Sequence, residues 1–392
     1  MLLSHIFRGA LLLPFFGVVA DAAPRELILD NDWSESPMPL LIALAADSSL
    51  VSNLTVTSLS GNTWGNQCQA YAQRYLQAAL ASVNGTGELA SRIETVGAVP
   101  GALLPLLRTQ QGYEQGINYT GSLSFAGSWR PFNETAESMG SDPTGNEADA
   151  GRVTFQGDAV PRALTGQLAT SAAQWAPDVL VERSRAARAR NETVTLVAIG
   201  PLTNVALALV RDPAFAQGVE LFYQGGFLSY NLESLLSVRN SDIFNDFNTL
   251  FDPQAAKKVL RAPFKRLVLI NEAASRVTPP EDIVVAAGRT SASASSEQRF
   301  LAQLIGAPAE PGLPLWDELA TLAALYPEVI ANSTVGRIDI DDREGGWSYG
   351  RAFAWRDELA PAGLQQAEIV TAFNEQRVHE LYIAAAQAFV NP

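Results

Sequence analysis

The chain has 392 residues and a formal net charge of −14, with an isoelectric point near 4.7. Phosphate repels so acidic a chain, which argues against a nucleic-acid or anionic-membrane partner and leaves a small neutral or cationic ligand. One cysteine and two histidines rule out an intrachain disulfide and the usual zinc-hydrolase chemistry, so stability must come from one large core.

At the N-terminus, Arg8 closes a short basic start, an apolar run ALLLPFFGVVA follows, and Ala20, Asp21 and Ala22 give a small-x-small cleavage site. Residues 1–22 read as a signal peptide ahead of one domain over 23–392, and the protein is expected to be secreted. No later stretch is apolar for long enough to span a bilayer, so no membrane attachment is expected after cleavage. Six glycosylation sequons, with acceptors Asn53, Asn84, Asn118, Asn133, Asn191 and Asn332, agree with export.

Leu27 to Ala46 reads as strand, acidic loop and helix. The strand runs into Asp30 and Asp32, which lie two apart and so share a side of an extended chain. The two are expected to act together, at the carboxyl edge of a sheet where open α/β folds bind ligands. A carboxylate cluster there suggests a hard cation or a sugar hydroxyl as partner. Leu54 to Ser58 is a second strand, ending in a loop with Gly61 and Asn62, and a helix follows from about Gln67 to Ala81. Asn62 has two open readings, a ligand-facing residue or a turn residue. Cys68 on that helix is expected to pack in the core.

Val96 to Val99 is a short third strand. From Gly112 to Gly157 the pattern dissolves into a long polar loop with isolated aromatics, and Thr165 to Arg190 is expected to be helical. Thr193 to Ile199 is a strand ending in GPLTN, with a helix from near Asn204. Glu220 to Tyr223 is a strand closing on Gly225 and Gly226, where the backbone can approach a ligand closely. Asn240 to Ala256 is the densest polar cluster. Its interleaved Ile243, Phe244, Phe247, Leu250 and Phe251 suggest a segment pinned to the core with amides aimed at a ligand, and Asp252 before Pro253 reads as a helix N-cap. Arg266 to Ile270 is a strand, SASASSEQ from Ser291 reads as a mobile surface link, and Pro314 onwards places Trp316, Asp317 and Glu318 at the start of an apolar helix. Strand-like pieces around Ile338 and Ile369 and a helix from Asn374 to Phe389 complete an α/β domain without repeat or linker.

Five of these stretches, in order, resemble the inosine/uridine-preferring nucleoside hydrolases. They are Asp30 and Asp32 after the first strand; Gly61 with Asn62; Gly200, Pro201, Leu202, Thr203 and Asn204; Asn240 followed by Asp246, Phe247 and Asn248, then Asp252, Pro253, Gln254 and Ala255; and Asp317 opening a helix. The opening Asp-Asn-Asp-Trp is similar to that of a secreted, largely fungal branch of the family. The resemblance implies a single large domain with a mostly parallel central sheet flanked by helices, and a small-molecule nucleoside or other ribose-containing ligand, with a homo-oligomer left open. It implies calcium held by Asp32, Asp317 and the Thr203 carbonyl, with Asp32 as general base on the bound water. Asn62, Asn240, Asp246 and Asn248 would hold the sugar, and Trp316 could stack on the base.

This chain departs from the family pattern at three positions. The family's paired aspartates fall at Ser36 and Pro37, which removes a ribose ligand and a calcium ligand, and the histidine preceding the last aspartate is Trp316. Two readings therefore stand side by side. One is an exported N-ribosyl hydrolase that cleaves nucleosides to base and ribose with a metal-bound water. The other is a catalytically silent nucleoside or sugar binder on the same scaffold.

Overall fold

The structure is a computed structural model that describes residues 24–33, 36–62, 65–109, 174–229, 246–306, 313–344, 346 and 348–392. The leader, the long loop from Gly112 to Gly157, Asn118, Asn133 and Asn240 lie outside the described residues. The apolar runs become strands of one sheet: β1 (Arg25–Asn31), β2 (Val51–Ser58), β3 (Ala98–Val99), β4 (Val194–Ala198), β5 (Val219–Gln224) and β6 (Arg266–Ile270) are mutually parallel, and β9 (Gln366–Phe373) pairs parallel with β6. Two further strands, β7 (Ile330–Ile340) and β8 (Ala352–Trp355), run antiparallel at the far end, giving nine strands in the order β3-β2-β1-β4-β5-β6-β9-β7-β8. All five residues of β4 are buried, as expected for a parallel strand covered on both faces.

The chain leaves β1 toward β2 and β3 on one side, then returns to lay β4, β5 and β6 on the other. The carboxyl ends of β1 and β4 thus flank the switch in strand order, the place where open α/β sheets form their ligand crevice. Helices cover both faces. On one lie α1 (Met38–Ala45), α2 (Gly65–Ser82), α3 (Gly87–Glu94), α8 (Glu281–Ala287), α9 (Ser296–Gly306), α10 (Trp316–Leu325) and α11 (Glu375–Val390). The other face carries α4 (Ala176–Ala189), α5 (Thr203–Arg211) and α7 (Pro253–Leu260), with the single turn α6 (Phe247–Phe251) just before α7. Met38 through Leu44 of α1 are all buried, because the helix is wedged against α10 and α11.

Several local expectations change in the structure. The helix expected from Thr165 is described from Ala176, after an extended Trp175 and with Pro177 in its first turn; residues 165–173 lie outside the described set. SASASSEQ is in part ordered, with Ala294 buried and Ser296 starting α9. The short elements α3, α6 and β8 carry too few residues for a periodic signal. Cys68 is fully buried, as expected. No helix among the described residues is long and apolar enough to cross a membrane.

Candidate active site

Asp30 and Asp32 sit at the end of β1 with almost no exposed surface, but their partners divide them. Asp30 Oδ1 accepts hydrogen bonds from the Thr57 hydroxyl at 2.5 Å and the Asn204 amide at 2.8 Å. Asn204 also donates to Ser58 O and accepts from the Ala102 N–H at 2.8 Å, so this cluster ties β1, β2, the loop after β3 and the start of α5 together. Burial pushes the Asp30 carboxyl up to about 6 against the pull of Thr57 and Asn204. Asp30 thus ties the scaffold together through Oδ1, while its Oδ2 is buried with no hydrogen-bond partner among the described residues.

Asp32 lies one residue past β1. Its Oδ2 accepts the Asn62 N–H at 2.7 Å, so Asn62 reaches the site through its backbone. A β-carbon on Gly61 would fall 2.1 Å from Asp32 Oδ2, and one on Gly200 would fall 3.0 Å from Asp32 Oδ1. The carboxylate occupies a slot between two glycines that no larger residue could line. Trp33 closes this end by donating its indole N–H to Thr57 O at 3.2 Å.

The ends of β4 and β5 form the next wall. Thr203 opens α5, and its hydroxyl donates to Asp252 Oδ2 at 2.8 Å. Asp252 also accepts the N–H groups of Leu106 at 2.8 Å and Ala255 at 3.0 Å, the latter as the N-cap of α7. Asn248 donates its amide to Gln224 Oε1 at 2.6 Å and Gln224 O at 3.0 Å, which leaves its carboxamide oxygen for another donor.

Asp246 caps α6, accepting the Thr249 N–H at 2.8 Å, and its other oxygen accepts the N–H groups of Gly226 at 3.0 Å and Phe227 at 3.2 Å. Three of its roughly four acceptor positions go to backbone. Its first role is thus to hold the turn at Gly225 and Gly226, where φ is +147° and +69°. Tyr223, beneath that turn, donates to or accepts from the Thr249 hydroxyl at 3.0 Å. Burial first, then the charge of Asp246, and those of Asp32 and Asp252 after the opposing Thr249 bond, push this phenol well above its usual range. Three carboxylates from two segments thus act on one phenol, a feature the sequence marks only by a tyrosine ahead of Gly225.

The opposite wall is α10. Burial, then the charge of Asp32, then that of Glu318 push the Asp317 carboxyl far above the usual carboxylate range. The charge of Asp32 thus acts on Asp317, although 285 positions separate them. Glu318 was read from sequence only as part of a helix start. It is buried, its Oε1 accepts the Ser36 hydroxyl at 2.7 Å, and burial raises its carboxyl against that bond. Ser36 also accepts the Met38 N–H at 3.2 Å, which fixes the hydroxyl at the entrance to α1. Trp316 donates its indole N–H to Ser275 Oγ at 2.8 Å, so its edge is anchored away from proton exchange.

The donor set can be tested against a cation. Asp317 has two neighbouring carboxylates and no cationic side chain among its charge partners, an arrangement that a divalent ion relieves. Among the described residues no three acidic, histidine or cysteine side chains close into a ligand cage. The residues therefore suit an ion held by two carboxylates and completed by carbonyl, water or ligand oxygens, an open site of the kind hard cations accept.

These walls belong to a known architecture. The model of the inosine-uridine preferring nucleoside hydrolase family matches residues 27–380, and the chain belongs to that family, whose members act on N-glycosyl compounds. An uncharacterized protein of Schizosaccharomyces pombe is 26% identical over 367 residues, 91% of this chain and 83% of that protein. Among solved structures, an inosine-guanosine nucleoside hydrolase aligns with a TM-score of 0.65 at 18% identity, over 93% of this chain and 99% of the other. A plant nucleoside hydrolase aligns with a TM-score of 0.61 at 19% identity, over 94% and 100%. A purine-preferring ribonucleoside hydrolase from Gardnerella vaginalis gives 0.62 at 16%, over 93% and 99%. At these identities the structures establish the fold.

Proposed function

We propose that the protein is an exported hydrolase that splits a ribonucleoside and water into free base and ribose. The observation that carries this reading is Asp32, held by the Asn62 N–H between Gly61 and Gly200 and opposed by Asp317. Asp32 takes a proton from the attacking water. The water oxygen bonds to the anomeric carbon, the carbon–nitrogen bond breaks with its electron pair going to the base, and the base nitrogen is protonated from solvent. The carboxamide oxygen of Asn248 and the remaining acceptor position of Asp246 face the sugar, and the nearby carboxylates stabilise positive charge on the ribosyl group as the bond opens. Calcium, held by Asp32, Asp317 and the Thr203 carbonyl, would supply Lewis-acid polarisation and a fixed point for ribose hydroxyls.

Export is supported by the leader and by the placement of the sequons. Asn84, Asn191 and Asn332 are exposed, whereas Asn53 lies within β2 with the Thr55 of its sequon buried. Incubating the glycosylated protein with a nucleoside panel and calcium, and measuring reducing sugar, tests the reaction. Ribose release that disappears in Asp32→Ala is expected; folded protein that releases none from any nucleoside overturns the reading.

The replacement of the family's paired aspartates by Ser36 and Pro37 favours a second reading, a silent nucleoside or sugar binder. Calorimetry separates the two, because a binder retains ribose-containing ligands equally well in chelator.

A further inference from the structure

Away from Asp32, a cavity of about 360 Å³ opens between β7, β8 and β9 and the turn Asn271–Arg276 that follows β6. Its volume lies within the range of small-molecule sites. The floor is apolar, with Val335, Ile369 and the indole of Trp355, while three hydrogen-bond donors look into it or stand at its rim: Asn271, Arg276 and Arg356.

Among the described residues the donor groups of all three are without an acceptor. Asn271 is 2% exposed; its carboxamide oxygen accepts the Ala273 N–H at 3.2 Å, and its amide hydrogens meet no acceptor among the described residues. Arg276 and Arg356 are exposed and have no ion pair, hydrogen bond or ring contact for their guanidinium groups among the described residues. The exposed Arg289 is in the same state among the described residues. Arg183, Arg185, Arg188, Arg190, Arg211, Arg261, Arg266, Arg337, Arg343 and Arg377 all pair with carboxylates. The one carboxylate in the lining, Glu272, is turned to the Leu228 N–H at 2.9 Å.

We propose that this cavity is a second ligand site, separate from the one at Asp32, that takes a small anion with a flat aromatic body, of the nucleoside monophosphate class. An aromatic ring lies against Trp355 and the apolar floor. The anionic group meets Arg276 and Arg356, whose planar guanidinium groups recognise phosphate in bidentate fashion, and a ring or sugar oxygen accepts from Asn271. The turn that forms one wall also carries Ser275, which holds Trp316 beside Asp317, so the two sites share a structural element.

Calorimetry on the full glycosylated protein tests this with adenosine 5′-monophosphate, adenosine and inorganic phosphate at low ionic strength. Asp32→Ala serves as the reference, so that the nucleotide is not turned over. The nucleotide is expected to bind more tightly than either fragment. The additional change Arg276→Ala with Arg356→Ala, both at exposed positions that leave the fold unstrained, is expected to weaken it about tenfold or more. Quenching of tryptophan emission by the nucleotide is expected to fall in Trp355→Ala. Absence of nucleotide binding, binding unchanged by removal of both arginines, or phosphate alone binding as well as the nucleotide each overturns the proposal. None of these outcomes depends on whether nucleosides are hydrolysed at Asp32.

Discussion

On the sheet side of the site each carboxylate meets donors: Asp30 the Thr57 hydroxyl and the Asn204 amide, Asp32 the Asn62 N–H, and Asp246 three backbone N–H groups. On the α10 side Asp317 has, among the described residues, no donor for its carboxylate, and Glu318 has the Ser36 hydroxyl. The first wall is largely tied to the polypeptide, although Asp30 Oδ2 is buried with no hydrogen-bond partner among the described residues. The second holds charge that only a cation, a proton or a sugar hydroxyl can answer. Carboxylates brought together with little solvent cost stability, a cost expected where Asp32 and Asp317 serve a ligand rather than the fold.

The largest effect expected from that division is on turnover. Asp32→Ala should lower kcat/KM for a nucleoside substrate by about a thousandfold, in the range of lost general-base catalysis, while circular dichroism shows a folded protein. Activity within a few fold of the parent would remove Asp32 from the chemistry.

Gly61→Ala tests how closely the first wall is fitted. A β-carbon 2.1 Å from Asp32 Oδ2 must displace the carboxylate. A shift of that size should cost about a hundredfold in kcat/KM and about 1–3 kcal/mol of stability by overpacking. A variant with parental urea midpoint and rate would mean the slot is wider than described.

Asp317→Asn should behave in the opposite way to a scaffold mutation. In chelator it replaces a carboxyl that burial and the charges of Asp32 and Glu318 drive toward its neutral form, so stability is expected to stay within about 1 kcal/mol of the parent or to rise while activity is lost. The rise in melting temperature that calcium gives the parent should also vanish, since a ligand stabilises only what it binds. A larger loss of stability in chelator would place Asp317 with the scaffold.

The smallest effect lies outside both walls. Hydrogen bonds from Arg343 and Ser348 hold Asp341 well below the usual carboxylate range. A carboxyl depressed in the folded state contributes stability that is complete above its unfolded value, about 3.9, and is lost as pH falls through the folded value. Arg343 is largely exposed, so solvent screening keeps the contribution under about 1 kcal/mol. Asp341→Asn should lower the neutral plateau of the stability curve by that amount and flatten the acid limb correspondingly. An identical acid limb in both proteins would assign the lost stability to other groups.

The sheet was readable because its parallel strands are short apolar runs bounded by glycine, proline or polar loops, as at Thr193 to Ile199 and Arg266 to Ile270. The meeting of Asp32 with Asp317 was readable only through the resemblance, since nothing local links β1 to α10. What escaped depends on which atom faces which. Glu318 looked like an ordinary first-turn carboxylate until Ser36 was seen to donate to it. Asn62 contributes a backbone N–H that any residue would supply, and Asp246 spends most of its acceptors on a turn whose N–H groups leave no trace in composition. β8 escaped for a simpler reason, being four residues at an edge with little burial to impose alternation.

Cys68, the chain's one thiol, lies on α2 with no accessible surface. An alkylating reagent reaches it only when that helix lifts away from its neighbours. The rate of its modification under native conditions therefore clocks the opening around that helix, and a bound nucleoside or metal that slows labelling would reveal how far its grip extends.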